Sequence, residues 1–241
     1  MTNNIITCLL FLFYVAGLTG CQPEEPSDAR DPARLNTGGH PAIEALTEKI
    51  AATPDDPSLY AARAGIYYEN EGYDEAIRDL QRAIELDASN ADYHHALADA
   101  YLDYYRSREA LEAMERAAKR FPQRIPTLLK LSEFQLILTQ HEASMRTIDR
   151  ILKIDPQNAD AYFMFGMNFK EVGDTARAIN SFQQATELNP DLIDAWINLG
   201  QLQAALGNAI AERYFNTALA IQPGNVEALH ALADYLTDQD R

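Results

Sequence analysis

From about residue 41 onward, apolar side chains recur at intervals of three and four, the spacing that gives an α-helix one apolar face. Each run is one helix long and ends in polar or turn-forming residues. The runs also repeat. A small residue falls at Ala64, Ala98, Ser132, Gly166, Gly200 and Ala233, and a second small slot at Ala76, Ala110, Ser144, Ala178 and Ala211. A large apolar slot holds Leu80, Met114, Ile148, Phe182 and Phe215, and proline closes the unit at Pro122, Pro156, Pro190 and Pro223. The period is 34 residues, with one step of 33 in the last copy. This pattern predicts an all-α chain of paired amphipathic helices, with five full repeats at 57–90, 91–124, 125–158, 159–192 and 193–225. A lone helix at 41–56 precedes them and a half-repeat at 226–241 follows, each with one apolar and one wet face.

The residue types fit helix-pair packing. Small slots let two helix backbones approach, and the proline stops the second helix because it lacks an N–H and disfavours helix at the residue before it. One hairpin cannot bury its own apolar face, so stability comes from stacking. The fourth copy carries Tyr162, Phe165, Gly166, Phe169, Ala178, Phe182, Ala185 and Pro190 in an order that resembles the tetratricopeptide (TPR) repeat. The resemblance implies a TPR solenoid, a right-handed superhelix of antiparallel helix pairs whose concave face is lined by the first helix of each pair. Two copies depart from the pattern. The third has Gln135, Ser144 and Ile151 where the others have an aromatic and two alanines, so its packing on the fourth should be looser or differently angled. The fifth is one residue short between Gly207 and Ala211, which predicts a tighter turn.

Residues 1–20 are of another kind. An uncharged apolar run over 5–18 is too short to span a bilayer comfortably, and it leads into Leu18-Thr19-Gly20-Cys21, which resembles the bacterial lipobox. That resemblance implies cleavage before Cys21, diacylglyceration of its thiol and acylation of the new amino terminus, with a chain such as palmitate. The segment MTNN departs from the family by lacking Lys or Arg. An ordinary secretory signal and a short membrane anchor are the alternatives. With Cys8 removed and Cys21 lipidated, no thiol is left for a disulfide. Residues 21–40, rich in Pro, Gly and charge, read as a flexible tether with a reach of roughly 25 Å. Gln22 is not the Asp that commonly retains lipoproteins in the inner membrane, so the expected location is the outer membrane, facing the periplasm or the surface.

The candidate chemistry is sparse. His94 and His95 are adjacent and project about 100° apart on a helix, unlike an i, i+4 metal pair. There is no Gly-rich phosphate loop, no HExxH and no G-x-S-x-G. The expectation is a non-enzyme with no cofactor and no metal. The formal net charge is −16, of which the four acids and two arginines of the tether account for −2. Such a surface repels nucleic acid.

Function is therefore expected in the groove. In the TPR register its lining is Leu129, Glu133, Leu136 and Ile137 from the third copy, Phe163, Met164, Met167 and Lys170 from the fourth, and Ile197 and Gln201 from the fifth. Towards the N-terminus the same slots hold Ala61, Gly65, Tyr68, His95 and Asp99, and towards the C-terminus His230 and Asp234. Phe163 and Met167 are expected to be left free once Tyr162, Phe165 and Phe169 take the core. The groove is thus apolar at its centre and acidic at its ends, and it lacks the Lys-and-Asn set with which some TPR proteins clamp a partner's terminal carboxylate. The layout is similar to that of pilotin and envelope-assembly TPR lipoproteins, which implies a membrane-anchored protein–protein adaptor. The alternative is a surface lipoprotein that captures a glycan or peptide.

Overall fold

In the computed structural model residues 40–239 are described, and they form twelve α-helices and no strand. The expected signal segment, Cys21 and residues 21–39 of the tether lie outside the described residues. Helix α1 (Pro41–Ala52) stands alone. Five hairpins follow: α2 (Pro57–Glu69) with α3 (Tyr73–Leu86), α4 (Ala91–Asp103) with α5 (Ser107–Arg120), and α6 (Ile125–Ile137) with α7 (His141–Ile154). The last two pair α8 (Ala159–Glu171) with α9 (Thr175–Leu188), and α10 (Ile193–Ala205) with α11 (Ile210–Ile221). A single helix, α12 (Val226–Asp238), ends the array.

Local chemistry fixes both kinds of connection. Between second and first helices, Asp56, Asn90, Asn158 and Asn225 cap the next helix by accepting from backbone N–H groups of its first turn. A side chain in the first-helix aromatic slot then reaches back to a carbonyl six residues earlier. Tyr60 Oη donates to Pro54 O (3.0 Å), Tyr162 Oη to Pro156 O (3.3 Å) and Trp196 Nε1 to Pro190 O (2.8 Å). His94 Nε2 makes the equivalent contact with Ala88 O at 3.1 Å. Within each hairpin the turn passes through the left-handed region at Glu71, Tyr105, Thr139, Gly173 and Gly207, with φ between 57° and 77°. The fifth copy's turn is not the tighter one that the missing residue predicts: its connection is four residues, 206–209, against three in the other hairpins, and α11 is two residues shorter, 12 where α3, α5, α7 and α9 have 14.

The core runs along the array. One apolar cluster extends from Ile43 through Leu80, Met114, Leu128 and Ile148 to Ala161. A second is built on Ala178, Phe182, Ala185 and Leu199. Helix α8 divides between them: Met164 and Phe165 face the first, and Phe163, Met167 and Phe169 the second. The odd residues of the third copy make polar pairs in the interior. Thr147 Oγ1 donates to Gln135 Oε1 (2.8 Å), Ser144 Oγ donates to Ser132 O (2.8 Å), and Asn168 Nδ2 of α8 donates to Ser144 Oγ (2.9 Å). A buried ion pair holds the N-terminal end. Arg63 donates through Nε to Asp79 Oδ2 (2.7 Å) and through Nη2 to Oδ1 (2.8 Å), and its Nη1 donates to Thr47 Oγ1 of α1 (2.9 Å). At the other end Ala228, Leu232, Tyr235 and Leu236 of α12 close on the fifth hairpin. Leu229, three residues before Leu232, is 48% exposed. It occupies the slot of Trp196, which stacks on Tyr214 of its own hairpin's second helix, and no helix follows α12 among the described residues.

Candidate functional site

The first helices present a face on which residues from successive repeats meet. Three cavities open between them. The first, about 210 Å³, lies between α2 and α4; Ala61, Gly65 and Ala96 line its floor, Tyr68 and Tyr93 its walls, with Asp92 and Asp99 beside them. The second, about 320 Å³, lies between α6 and α8 and is lined by Leu129, Lys130, Glu133, Asp160, Phe163 and Met164. The third, about 660 Å³, lies between α10 and α12 and includes Gln201, Glu227, His230 and Asp234.

Polar bridges close much of the remaining face. Tyr68 Oη donates to the Asp103 carboxylate. Between α4 and the third hairpin, Arg124 meets Asp92 (2.9 Å), His95 Nε2 meets Thr127 Oγ1 (2.9 Å), and Lys130 meets Asp99 (2.8 Å). Lys170 Nζ donates to Asn198 Oδ1 (2.7 Å) and Gln201 Oε1 (3.2 Å), linking α8 to α10. No such bridge joins α6 to α8 among the described residues, and there the surface stays apolar. Glu133 and Asp160 at its rim have no partner among the described residues. Charge states follow from these surroundings. Burial, then the nearby Lys130 and Arg124 charges, hold the His95 imidazole down at about 4. Burial raises the Asp99 carboxyl, against the pull of Lys130.

The structure gathers four of the expected groove residues, Leu129, Glu133, Phe163 and Met164, around one cavity. Asp99 lines the α2/α4 cavity with Ala61, Gly65 and Tyr68, and Gln201 the α10/α12 cavity. Leu136 is half-buried at the C-terminal end of α6, and Ile137 beside it is 52% exposed. Two expectations need correction. Ile197 is fully buried. It shares the slot of Phe163, and Ala218 of α11 and Ala228 of α12, the counterparts of Ala185 and Ala195 around Phe163, cover its smaller side chain completely where the larger Phe163 ring stays half-buried. Phe163 and Met167 are not left free either. Both are half-buried against the second core cluster, and the Phe163 ring centroid lies 5.6 Å from that of Phe182. Phe163 therefore supports the core with one face and lines the cavity with another. Lys130, Asp160, Asn198 and Arg124 take part without having been expected; the first three lie one helix turn from Glu133, Phe163 and Gln201, whereas Arg124, the residue before α6, carries no such signal.

Among the described residues no group of three or more His, Cys, Asp or Glu side chains is placed to hold a metal ion. No helix of the described residues is long and apolar enough to cross a membrane.

Comparison with known proteins agrees with this geometry. The TPR repeat family model matches residues 64–103 and 166–207. Human protein O-mannosyl-transferase TMTC1 is 26% identical over 163 residues, which is 66% of this chain but only 18% of that protein. The crystal structure of YrrB, described as a TPR protein with an unusual peptide-binding site, is 26% identical, with a TM-score of 0.53 over 78% of this chain and 98% of YrrB. A thermophilic TPR protein of Thermus thermophilus, 20% identical, shares the fold with a TM-score of 0.62 over 75% of this chain and 99% of its own. The chain carries TPR repeats, and its fold is the all-α TPR solenoid.

Proposed function

We propose that this protein is a membrane-anchored adaptor of the bacterial cell envelope that holds a segment of a partner protein in its concave groove. The α6/α8 cavity carries this reading: Leu129, Phe163 and Met164 leave apolar surface open between two helices, with Glu133 and Asp160 unpaired at the rim. Apolar surface rimmed by polar groups is characteristic of protein-binding sites. YrrB, with its peptide-binding site, supports the same use of the fold. The O-mannosyl-transferase activity of TMTC1 is not carried over, since this chain spans only 18% of that protein.

Attachment is assigned to Cys21, through the Leu-Thr-Gly-Cys sequence that ends the apolar run, and the location to the outer membrane, through Gln22. The net charge of −16 speaks against nucleic acid as the partner. Glycan capture draws no support from Trp196, whose ring stacks on Tyr214 and whose N–H is held by Pro190 O. The test is labelling with a palmitate analogue in the native host, combined with crosslinking. The wild type takes up label, fractionates with membranes and crosslinks to a partner; Cys21→Ala loses label and membrane association. Label in the Cys21→Ala protein, or membrane association without it, would contradict the anchoring.

A further inference from the structure

We infer that the partner segment is held at two points: an uncharged apolar side chain in the α2/α4 cavity and, about six residues along an extended chain, a second apolar side chain in the α6/α8 cavity beside a Lys or Arg. This rests on the groove reading above and specifies its ligand.

The three gaps between α2, α4, α6 and α8 differ in kind. The middle gap is crossed by the Asp99–Lys130 and His95–Thr127 contacts, which leave these polar groups already satisfied. The outer two are open. In the first, the floor is Ala61, Gly65 and Ala96, and a Cβ added to Gly65 would meet nothing within 4 Å. The two carboxylates that line it are ion-paired, Asp92 with Arg124 and Asp99 with Lys130. An incoming cation finds both already neutralised, whereas an aliphatic side chain finds the apolar surface of Ala61, Ala64, Leu80 and Ala96. In the second, the apolar patch of Leu129, Phe163 and Met164 adjoins two uncommitted carboxylates, Glu133 and Asp160. Lys130, in the same lining, is held by Asp99, so a basic residue next to the apolar anchor meets charge complementarity at Glu133 and Asp160.

The spacing follows from helix packing. Neighbouring helices lie 8–10 Å apart, so two gaps separated by two helix steps are roughly 16–20 Å apart. An extended chain advances about 3.3 Å per residue, which sets the anchors about five or six residues apart. The intervening residues cross the polar bridges and are themselves polar.

The experiment uses the described repeats in the full-length protein and labelled synthetic peptides with a Ser/Gly background. One peptide carries two leucines about six residues apart with Lys beside one of them, made in both orders; the control places the leucines about three apart. The first is expected to bind at least about tenfold more tightly than the control. Gly65→Leu, which grows into open space, should weaken the spaced peptide by about tenfold whether or not it carries Lys. Glu133→Lys with Asp160→Lys, both at exposed positions, should weaken only the Lys-bearing peptide. Absence of binding by the spaced peptide, or equal binding of the control, overturns the inference and does so without relying on any variant. If Gly65→Leu has no effect while the charge reversal does, the two-point arrangement fails but the groove reading stands. If neither variant alters peptide binding, the groove reading fails as well.

Discussion

The ring of Phe182 lies so close to Gly166 that a Cβ on residue 166 would come within 2.5 Å of it, and Gly200 stands in the same relation to Phe215 at 2.3 Å. In each of these hairpins a second-helix ring packs directly on the first-helix backbone at the glycine. Gly65, one residue beyond the equivalent slot in the first, faces open space. The two kinds of glycine predict opposite outcomes. Gly166→Ala should destabilise by about 1–3 kcal/mol through overpacking, despite a helix-propensity gain of about 1 kcal/mol. Gly65→Ala should stabilise by about 0.5–1 kcal/mol. Denaturant midpoints of the two variants, moving in opposite directions, check this.

The Arg63–Asp79 pair is buried and bidentate, and Arg63 also reaches Thr47 on α1. Asp79→Ala leaves an uncompensated buried guanidinium and should cost about 3–5 kcal/mol. Replacing both residues together, Arg63→Met with Asp79→Leu, should recover most of that loss. Because a solenoid repeat contacts only its neighbours, hydrogen exchange in the single variant should speed up in α1 to α3 and stay unchanged in α10 to α12.

Thr147 and Gln135 form a neutral pair in the interior of the third hairpin. Thr147→Val removes the donor and leaves the Gln135 carbonyl oxygen buried without it, at a cost of about 1–3 kcal/mol. Thr147→Val with Gln135→Leu removes both partners and should be close to neutral. A double-mutant cycle on unfolding free energy measures the difference.

The all-α solenoid was legible because packing constraints repeat. Gly166, Gly200, Phe182 and Phe215 each occupy a slot that geometry restricts, and the same restriction recurs every turn of the array. The lining of the groove was less legible because it depends on neighbours distant in sequence. Ile197 and Phe163 share a slot and are each met by two alanines from other helices, yet only the smaller Ile197 is sealed. The bridge from Asp99 to Lys130 joins residues in different repeats, and no periodic rule selects those two types. Gln135 marked a departure, but its partner Thr147 lies outside the repeat signature, so the polar pair within the third hairpin was not legible.

His95 supplies a pH dependence. Its folded value of about 4 lies below the ordinary 6.5, first through burial and then through Lys130 and Arg124, with Asp92 opposing and His94 adding to the shift. Between those values the unfolded chain takes up the proton first. The stability tied to neutral His95 is thus present above pH 6.5 and lost as pH falls towards 4. Other carboxylates titrate in the same window, so the contrast with His95→Gln isolates the effect. The wild type should lose more stability than His95→Gln between those pH values, and equal losses would remove His95 from the account.

Site-specific photocrosslinking in the native host tests most directly whether the concave groove is the working surface. A photoreactive residue is placed at Tyr93 or Glu133 in the groove cavities, and at Arg116 or Lys119, which line a separate cavity between α3 and α5. The groove account predicts that Tyr93 and Glu133 crosslink to one and the same protein while Arg116 and Lys119 give no such product. The same product from Arg116 and Lys119, with none from Tyr93 and Glu133, would contradict it.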